Sequence, residues 1–162
     1  MNIELIKPED KLEIIIKGIP VPKQSMRQTI RKNKFGGQFI QNYQSAEVIK
    51  QKDNIIAQVL SQLPNNFRPF TIPLIVTKLH YIFPIPSSMT KKKIKLIEEG
   101  QLIRKYTKPD ITDNLNKGLF DSLEGIVYVN DSLITDLDDV KKYYGFVPQT
   151  ILVLEPLNIS LY

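Results

Sequence analysis

The sequence predicts a single α+β domain over residues 1–162, built on a mixed β-sheet with about three helices. A length of 162 residues suits one domain that buries its own core without a disulfide or a structural metal. The composition, 42% hydrophobic and 24% charged, is ordinary for a globular protein. Strand-like and helix-like stretches are interspersed along the chain without strict alternation, which favours a mixed sheet.

Short apolar stretches bounded by turn-forming residues predict the strands. They cover residues 12–16, 38–42, 74–83, 126–129, 133–146 and 150–154. Side chains alternate between the two faces of a sheet along each strand. In the strand over residues 74–83 this alternation assigns to one face Ile75, Leu79, Tyr81 and Phe83, and to the other face Lys78 and His80.

Apolar side chains at helical spacing, with capping and breaking residues around them, predict three helices. The first covers residues 45–63 and is stopped by a proline. The second is basic, opens at Ser87 or Ser88 and closes near Gly100. The third runs from about 112 to 124, is capped by Asp110 or Thr112, and buries a stripe of leucines. Those leucines are Leu115, Leu119 and Leu123.

The residues that are missing exclude several classes of site. A chain without cysteine has no disulfide scaffold, cysteine nucleophile, thiolate zinc site or iron–sulfur cluster. With one histidine, His80, a single chain cannot build a histidine-rich metal site. No apolar run reaches the length of a membrane span, and the charged N-terminus is unlike a signal peptide. We therefore expect a cytoplasmic protein that uses neither a membrane nor a small-molecule cofactor.

The net charge of +5 is distributed unevenly. Residues 21–37 form a basic arm without an acidic residue, which predicts contact with DNA phosphates; the alternative is a solvated flexible loop. The DNA-binding candidates in this arm are Lys23, Arg27, Arg31, Lys32 and Lys34. Three aromatic residues nearby could stack on bases at a branch, but we expect them to pack within the protein. They are Phe35, Phe39 and Tyr43.

Between residues 109 and 139 the charge reverses, because eight of the seventeen acidic residues face one base, Lys117. This pattern is typical of a metal-dependent nuclease, in which bases hold phosphates and carboxylates hold hard cations. Asp110, Asp113 and Asp131 can converge from a helix start and a turn to bind Mg²⁺. Lys117, one helical turn after Asp113, can bind the scissile phosphate. The alternative is a capping aspartate beside an ordinary surface ion pair.

The same stretch resembles the RusA family of Holliday junction resolvases. The family pattern reads approximately K-P-D-x-D-N-L-x-K, followed by D-A-L-N-G, an aromatic residue and D-D-x-x-I. The matching residues here are Lys108-Pro109-Asp110, Asp113-Asn114-Leu115-Asn116-Lys117 and the block over residues 121–134; upstream, Pro22-Lys23 with Arg27 is similar to the family's basic segment. Two differences stand out. Thr112 adds one residue between Asp110 and Asp113, and the family's paired acids become Asn130-Asp131.

The resemblance implies a Mg²⁺-dependent, homodimeric endonuclease of prophage type that resolves four-way DNA junctions. It places the catalytic acids and metal ligands on Asp110, Asp113 and Asp131, and the catalytic lysine on Lys117. We expect paired nicks with 5′-phosphate products, in DNA recombination and repair. Two alternatives stay open: the same chemistry on flaps, forks or duplex DNA, and a catalytically silent DNA-binding module, which the additional Thr112 favours.

Overall fold

Seven strands and three α-helices make up the described part of this computed structural model, which comprises residues 11–22, 27–43 and 46–157. In chain order the elements are β1 (Leu12–Lys17), β2 (Arg27–Lys32), β3 (Gln38–Tyr43), α1 (Ala46–Leu60), β4 (Leu74–Pro84), α2 (Lys91–Glu98), α3 (Lys117–Leu123), β5 (Ile134–Leu137), β6 (Val140–Gly145) and β7 (Gln149–Pro156). A π-helical turn, Ile111–Asn116, runs directly into α3, and a 3₁₀ turn, Asp131–Leu133, precedes β5.

The main sheet has five strands arranged around β4. Strand β7 pairs antiparallel with one side of β4, and β1 pairs antiparallel with the outer side of β7. The other side of β4 pairs in parallel with β5 along its first half and with β6 along its second half. Because one strand has both parallel and antiparallel neighbours, the predicted mixed sheet and α+β class are confirmed.

The core lies on one face of this sheet. The predicted leucine stripe at 115, 119 and 123 is buried there, together with Ile14 of β1, Leu152 of β7 and Val59 of α1. Burial of such side chains removes apolar surface from water and is the main favourable contribution to folding. The stripe therefore fixes the π-helical turn and α3 against the sheet.

A β-bulge in β4 shifts the apolar face from even to odd positions. Leu74 and Val76 are buried, and the register against β7 then shifts between Val76 and Lys78. After the shift the buried side chains include Leu79, Tyr81 and Phe83. The additional residue in a bulge reverses which alternate positions face the core. The prediction is confirmed beyond the bulge and wrong before it, because Ile75 is only half-buried.

The strand predicted over residues 133–146 is divided into β5 and β6 opposite this bulge. The N–H of Asp138 donates to the carbonyl of Val76 (3.0 Å), and the N–H of Leu79 donates to the carbonyl of Asp139 (2.8 Å). The break therefore keeps both halves paired with an irregular β4. Other elements also differ from prediction, and α1 ends at Leu60, before the predicted end at residue 63.

Helix α2 is capped by Thr90, whose side chain accepts from the N–H of Lys93, so the predicted start at Ser87 or Ser88 is wrong. Residues 126–129 form a turn instead of a strand. Gly125 has a positive φ of 78°, and its N–H donates to the carbonyl of Tyr128 (2.7 Å). Glycine adopts such a φ readily, and it reverses the chain here.

Two glutamines, Gln58 in α1 and Gln62 in the turn that follows it, cover the outer edge of β1. Gln62 accepts from the N–H of Ile15 (2.9 Å) and donates to the carbonyl of the same residue (2.8 Å). Gln58, one helical turn earlier, does the same at Lys17, with distances of 2.7 and 3.1 Å. The two side-chain amides therefore occupy the backbone positions that a further strand would use.

Strands β2 and β3 form a separate two-stranded antiparallel sheet, paired from Arg27–Tyr43 to Lys32–Gln38. The basic segment that the sequence suggested as an arm or loop thus contains one strand and the turn of a hairpin. Phe35 is exposed at the hairpin turn, and Phe39 is exposed in β3. The expected packing of these two rings is wrong, because the hairpin projects from the core instead of covering it. The side chain of Tyr43 lies outside the described residues.

No helix within the described ranges is long and apolar enough to span a membrane.

Candidate active site

The segment that leads to the candidate site, residues 103–109, runs beside β6 and is bonded to it. The N–H of Tyr144 donates to the carbonyl of Ile103 (3.0 Å), and the N–H of Lys105 donates to the carbonyl of Lys142 (3.1 Å). The ammonium of Lys142 then donates to the carbonyl of Thr107 (2.7 Å) and to that of Pro109. Burial, with a smaller contribution from Lys105, holds the pKa of Lys142 below its ordinary value. One half-buried lysine thus fixes the backbone immediately before Asp110.

Asp110 caps the helical segment, as one of the two predicted alternatives has it. Its Oδ1 accepts from the backbone N–H of Asp113 (2.9 Å) and of Asn114 (3.1 Å). Its Oδ2 accepts from the side-chain amide of Asn114. These donors, the Asp113 N–H first among them, hold the pKa of the Asp110 carboxyl below its usual range. The ionised form of Asp110 is therefore favoured more strongly than that of a solvated aspartate.

The turn that follows is wider than an α-helical turn. The N–H of Leu115 donates to the carbonyl of Asp110 five residues earlier (3.1 Å), which is the π-helical spacing. Such a turn contains one more residue than an α-turn, and Thr112 is exposed within it. The additional residue is absorbed there, and Leu115 and Lys117 continue into α3 with the leucine stripe buried.

The remaining predicted site residues are exposed. Asp113 lies in the π-helical turn, Lys117 begins α3, and Asp131 begins the 3₁₀ turn. The N–H of Asp131 donates to the carboxylate of Glu124 (3.4 Å), and burial raises the pKa of the adjoining Tyr128, with Asp131 as the next cause. Asp131 thus lies beside the end of α3.

In one chain, over the ranges that the structure describes, no three histidine, aspartate or glutamate side chains are close enough to share a metal ion. A common ligand set of Asp110, Asp113 and Asp131 stays a prediction. Mg²⁺, however, is commonly held by one or two carboxylates together with water and substrate phosphate. The ionised Asp110 and the exposed Asp113 carboxylate fit that smaller donor set.

Sequence reasoning missed two residues that support this segment, Lys142 and the hydroxyl of Tyr81. The Tyr81 hydroxyl donates to Oδ1 of Asn116 (2.9 Å), and burial raises its pKa. It joins β4 to the residue before Lys117. The sequence could have indicated a role for Tyr81, because it lies in a predicted strand and a buried tyrosine hydroxyl needs a hydrogen-bond partner. Lys142 gave no such signal, since a lysine in a strand is ordinarily solvated.

The predicted DNA-binding residues are only partly described. Arg31, Lys32 and Lys34 are exposed on the hairpin. Lys23 and the side chain of Arg27 lie outside the described residues.

His80 is bonded to Asp139 (2.7 Å) and to the hydroxyl of Tyr143 (3.2 Å) in the sheet.

Replacing Lys142 by methionine should reduce the DNA cleavage that the family resemblance implies by about 10- to 100-fold, the usual cost of removing a group that orients a ligand. Methionine keeps the aliphatic stem but loses both bonds to the carbonyls before Asp110. The effect should fall on kcat, because the half-buried ammonium of Lys142 holds the backbone that precedes Asp110. Lys141→Met is the matched control, since the neighbouring lysine instead pairs with Asp139. Wild-type kcat in a folded Lys142→Met protein would contradict this role.

Comparison with known proteins identifies the family. Residues 18–155 match the family model described as Endodeoxyribonuclease RusA. The chain is also 32% identical over 111 residues to YqaN of Bacillus subtilis (strain 168), a protein described as uncharacterized. That similarity covers 66% of this chain and 76% of the relative. The region that matches the family model contains the whole segment from Lys108 to Asp131, together with the basic hairpin. The chain therefore belongs to the RusA family of endodeoxyribonucleases, which act on branched DNA.

Proposed function

We propose that this protein is a Mg²⁺-dependent endonuclease that resolves four-way DNA junctions by paired nicks, in DNA recombination and repair. The observation that carries the proposal is the capped turn at Asp110 within the matched region. There, one ionised carboxylate is fixed by three hydrogen bonds, and Asp113 and Lys117 follow on the same helical segment. A site held this firmly before substrate arrives is suited to catalysis, because little reorganisation remains.

The proposed roles follow from charge and position. Asp110 and Asp113 would hold the cation, and Asp131, which begins a separate turn, is the further ligand that the family resemblance implies. When bound, the cation would activate water and neutralise the phosphate. Lys117 would contact the scissile phosphate and stabilise the charge that develops on its oxygens. Water oxygen bonds to phosphorus as the bond to the 3′-oxygen breaks. The products then carry a 5′-phosphate and a 3′-hydroxyl.

A homodimer suits this substrate. A four-way junction presents two equivalent strands, and a two-fold dimer places the same site at each of them. Acting as a pair, two sites would cut symmetrically and leave two nicked duplexes. The dimer is part of the proposal, as is the identity of the metal.

The decisive experiment is cleavage of end-labelled DNA with Mg²⁺, using a four-way junction, a flap, a fork and a linear duplex. Symmetric nicks in the junction alone support the proposal. Cleavage of the flap, fork or duplex at least as fast as the junction supports a nuclease with another target. Binding of the junction without cleavage under Mg²⁺ supports the silent module. EDTA should abolish cleavage and leave binding in place.

The hairpin cations should provide phosphate contacts. The triple variant Arg31→Ala, Lys32→Ala, Lys34→Ala should bind duplex arms more weakly and with a flatter salt dependence. Each lost phosphate contact lowers the slope of log affinity against log salt by about 0.9. Fluorescence anisotropy at several salt concentrations measures both quantities. The control is Lys91→Ala, Lys92→Ala, Lys93→Ala, which removes three exposed charges from α2 instead. An unchanged slope in the hairpin variant would remove the hairpin from the DNA interface.

A further inference from the structure

We propose that the tip of the β2–β3 hairpin enters the branch point of the junction, where Phe35 stacks on base faces that the branch exposes. This inference rests on the proposed function and extends it, because it assigns junction recognition to one side chain. The partner that the hairpin tip contacts is thus branched DNA.

The first observation is the exposure of apolar side chains on the hairpin. Phe35 is 96% exposed, and the directly paired Ile30 and Ile40 are 68% and 64% exposed. Phe39, paired with Arg31, is 48% exposed and lies on the opposite face. Both faces of the hairpin are therefore uncovered by the described remainder of the chain. An apolar cluster left open in this way marks an interaction surface.

The second observation is the order of the turn that carries Phe35. The side-chain Oδ1 of Asn33 accepts from the N–H of Phe35 (3.1 Å) and from that of Gly37 (2.7 Å). The backbone of Asn33 is bonded to Gly36 and Gly37 as well, and Gly36 has a positive φ of 80°. A residue without a side chain is needed at that φ. The ring is thus presented on a defined turn, which lowers the entropy cost of stacking.

The third observation is the charge around the ring. Arg31, Lys32 and Lys34 are exposed beside it, and the segment holds no acidic residue. Aromatic rings between cations are the combination that binds unpaired nucleic acid, through stacking and phosphate contact together. A second copy of this hairpin is a poorer occupant, because like charges brought together across a two-fold contact repel. Within duplex arms base faces are stacked and hidden, whereas a branch point exposes them.

The test compares binding of a four-way junction and a linear duplex of the same sequence, in the cleavage-deficient Asp113→Asn background. Phe35→Ala should lower the ratio of junction to duplex affinity by about 5- to 150-fold, which corresponds to about 1–3 kcal/mol per stacked base. Phe35→Trp should preserve the ratio, because it keeps a stacking ring. Phe146→Ala is the control, since Phe146 is an exposed ring in the connection between β6 and β7.

Each outcome decides the proposal. An unchanged ratio in Phe35→Ala overturns it, and so does a change of oligomeric state in that variant by light scattering, which would make the ring a contact between copies. The result is separable from the proposed function. Junction cleavage by the wild type without any Phe35 effect removes only this inference. A Phe35-dependent preference in a wild type that never cleaves retains the inference and removes the endonuclease.

Discussion

Asp113→Asn should bind four-way junctions at least as tightly as the wild type and cleave them about 100- to 1,000-fold more slowly. Removing one group that stabilises charge in a transition state usually lowers kcat by that factor. The amide keeps the shape of the side chain, but a neutral oxygen is a poorer ligand for Mg²⁺ than a carboxylate. Binding is spared because the lost negative charge repelled the phosphates. Single-turnover cleavage and anisotropy measure the two effects separately.

The control is Asp138→Asn, the same change at an exposed residue of the same acidic stretch. Asp131→Asn should behave like Asp113→Asn, whereas Lys117→Ala should lose activity and also bind slightly more weakly. Wild-type cleavage by both aspartate variants would contradict the metal-nuclease proposal.

Asp110 allows a further distinction, because it caps the turn as well as contributing charge. Asparagine is as good a cap as aspartate, so Asp110→Asn keeps an acceptor for the two backbone N–H groups but removes the charge and the acceptor of the Asn114 amide. Asp110→Ala removes the cap as well and costs about 0.5–2 kcal/mol of stability. Since the pKa of Asp110 is lowered in the folded protein, its ionised form stabilises the fold above the unfolded pKa. That contribution is lost only as the pH falls through the folded value.

Leu115→Ala should lower the free energy of unfolding by about 2–5 kcal/mol. Leu115 lies in the π-helical turn and is only 1% exposed, so truncation leaves a cavity beneath Asn114 and Asn116. Urea unfolding followed by circular dichroism gives the value. Leu60→Ala, at the exposed end of α1, is the control and should change stability by less than about 0.5 kcal/mol. A Leu115→Ala protein as stable as the control would show that the turn is not anchored by the core.

The parts of the fold that depend on local pattern were predictable from the sequence. The leucines of α3 repeat at helical spacing and are buried as expected, and β1, β4 and β7 lie within a few residues of their predicted bounds. The bulge in β4 was not predictable, because Thr77 looks like an ordinary strand residue. Thr77 is the additional residue because β4 pairs with β7 on one side and with the separate strands β5 and β6 on the other. These partners are distant in sequence.

The charged residues of the candidate site could be predicted from the sequence, but the lysine that holds the backbone before them could not. Asp110, Asp113 and Lys117 form a local motif, so their spacing is visible in the sequence. Lys142 contacts that motif from more than thirty residues away, and nothing local distinguishes it from a solvated lysine. Strand β3 was predicted over residues 38–42, but its partner β2 was missed. The basic, polar segment around β2 gives no apolar alternation, and its pairing with β3 depends on residues beyond the turn.

The glutamine cover on β1 has a consequence for how this protein behaves at high concentration. An uncovered edge strand is a template onto which other chains add, and a run of such additions is how soluble sheets polymerise. Gln58 and Gln62 fill the donor and acceptor positions at Ile15 and Lys17 with side-chain amides from the same molecule. Growth of an extended sheet from this end is thereby blocked. The protein can be concentrated on its DNA without its own outer strand recruiting a neighbour.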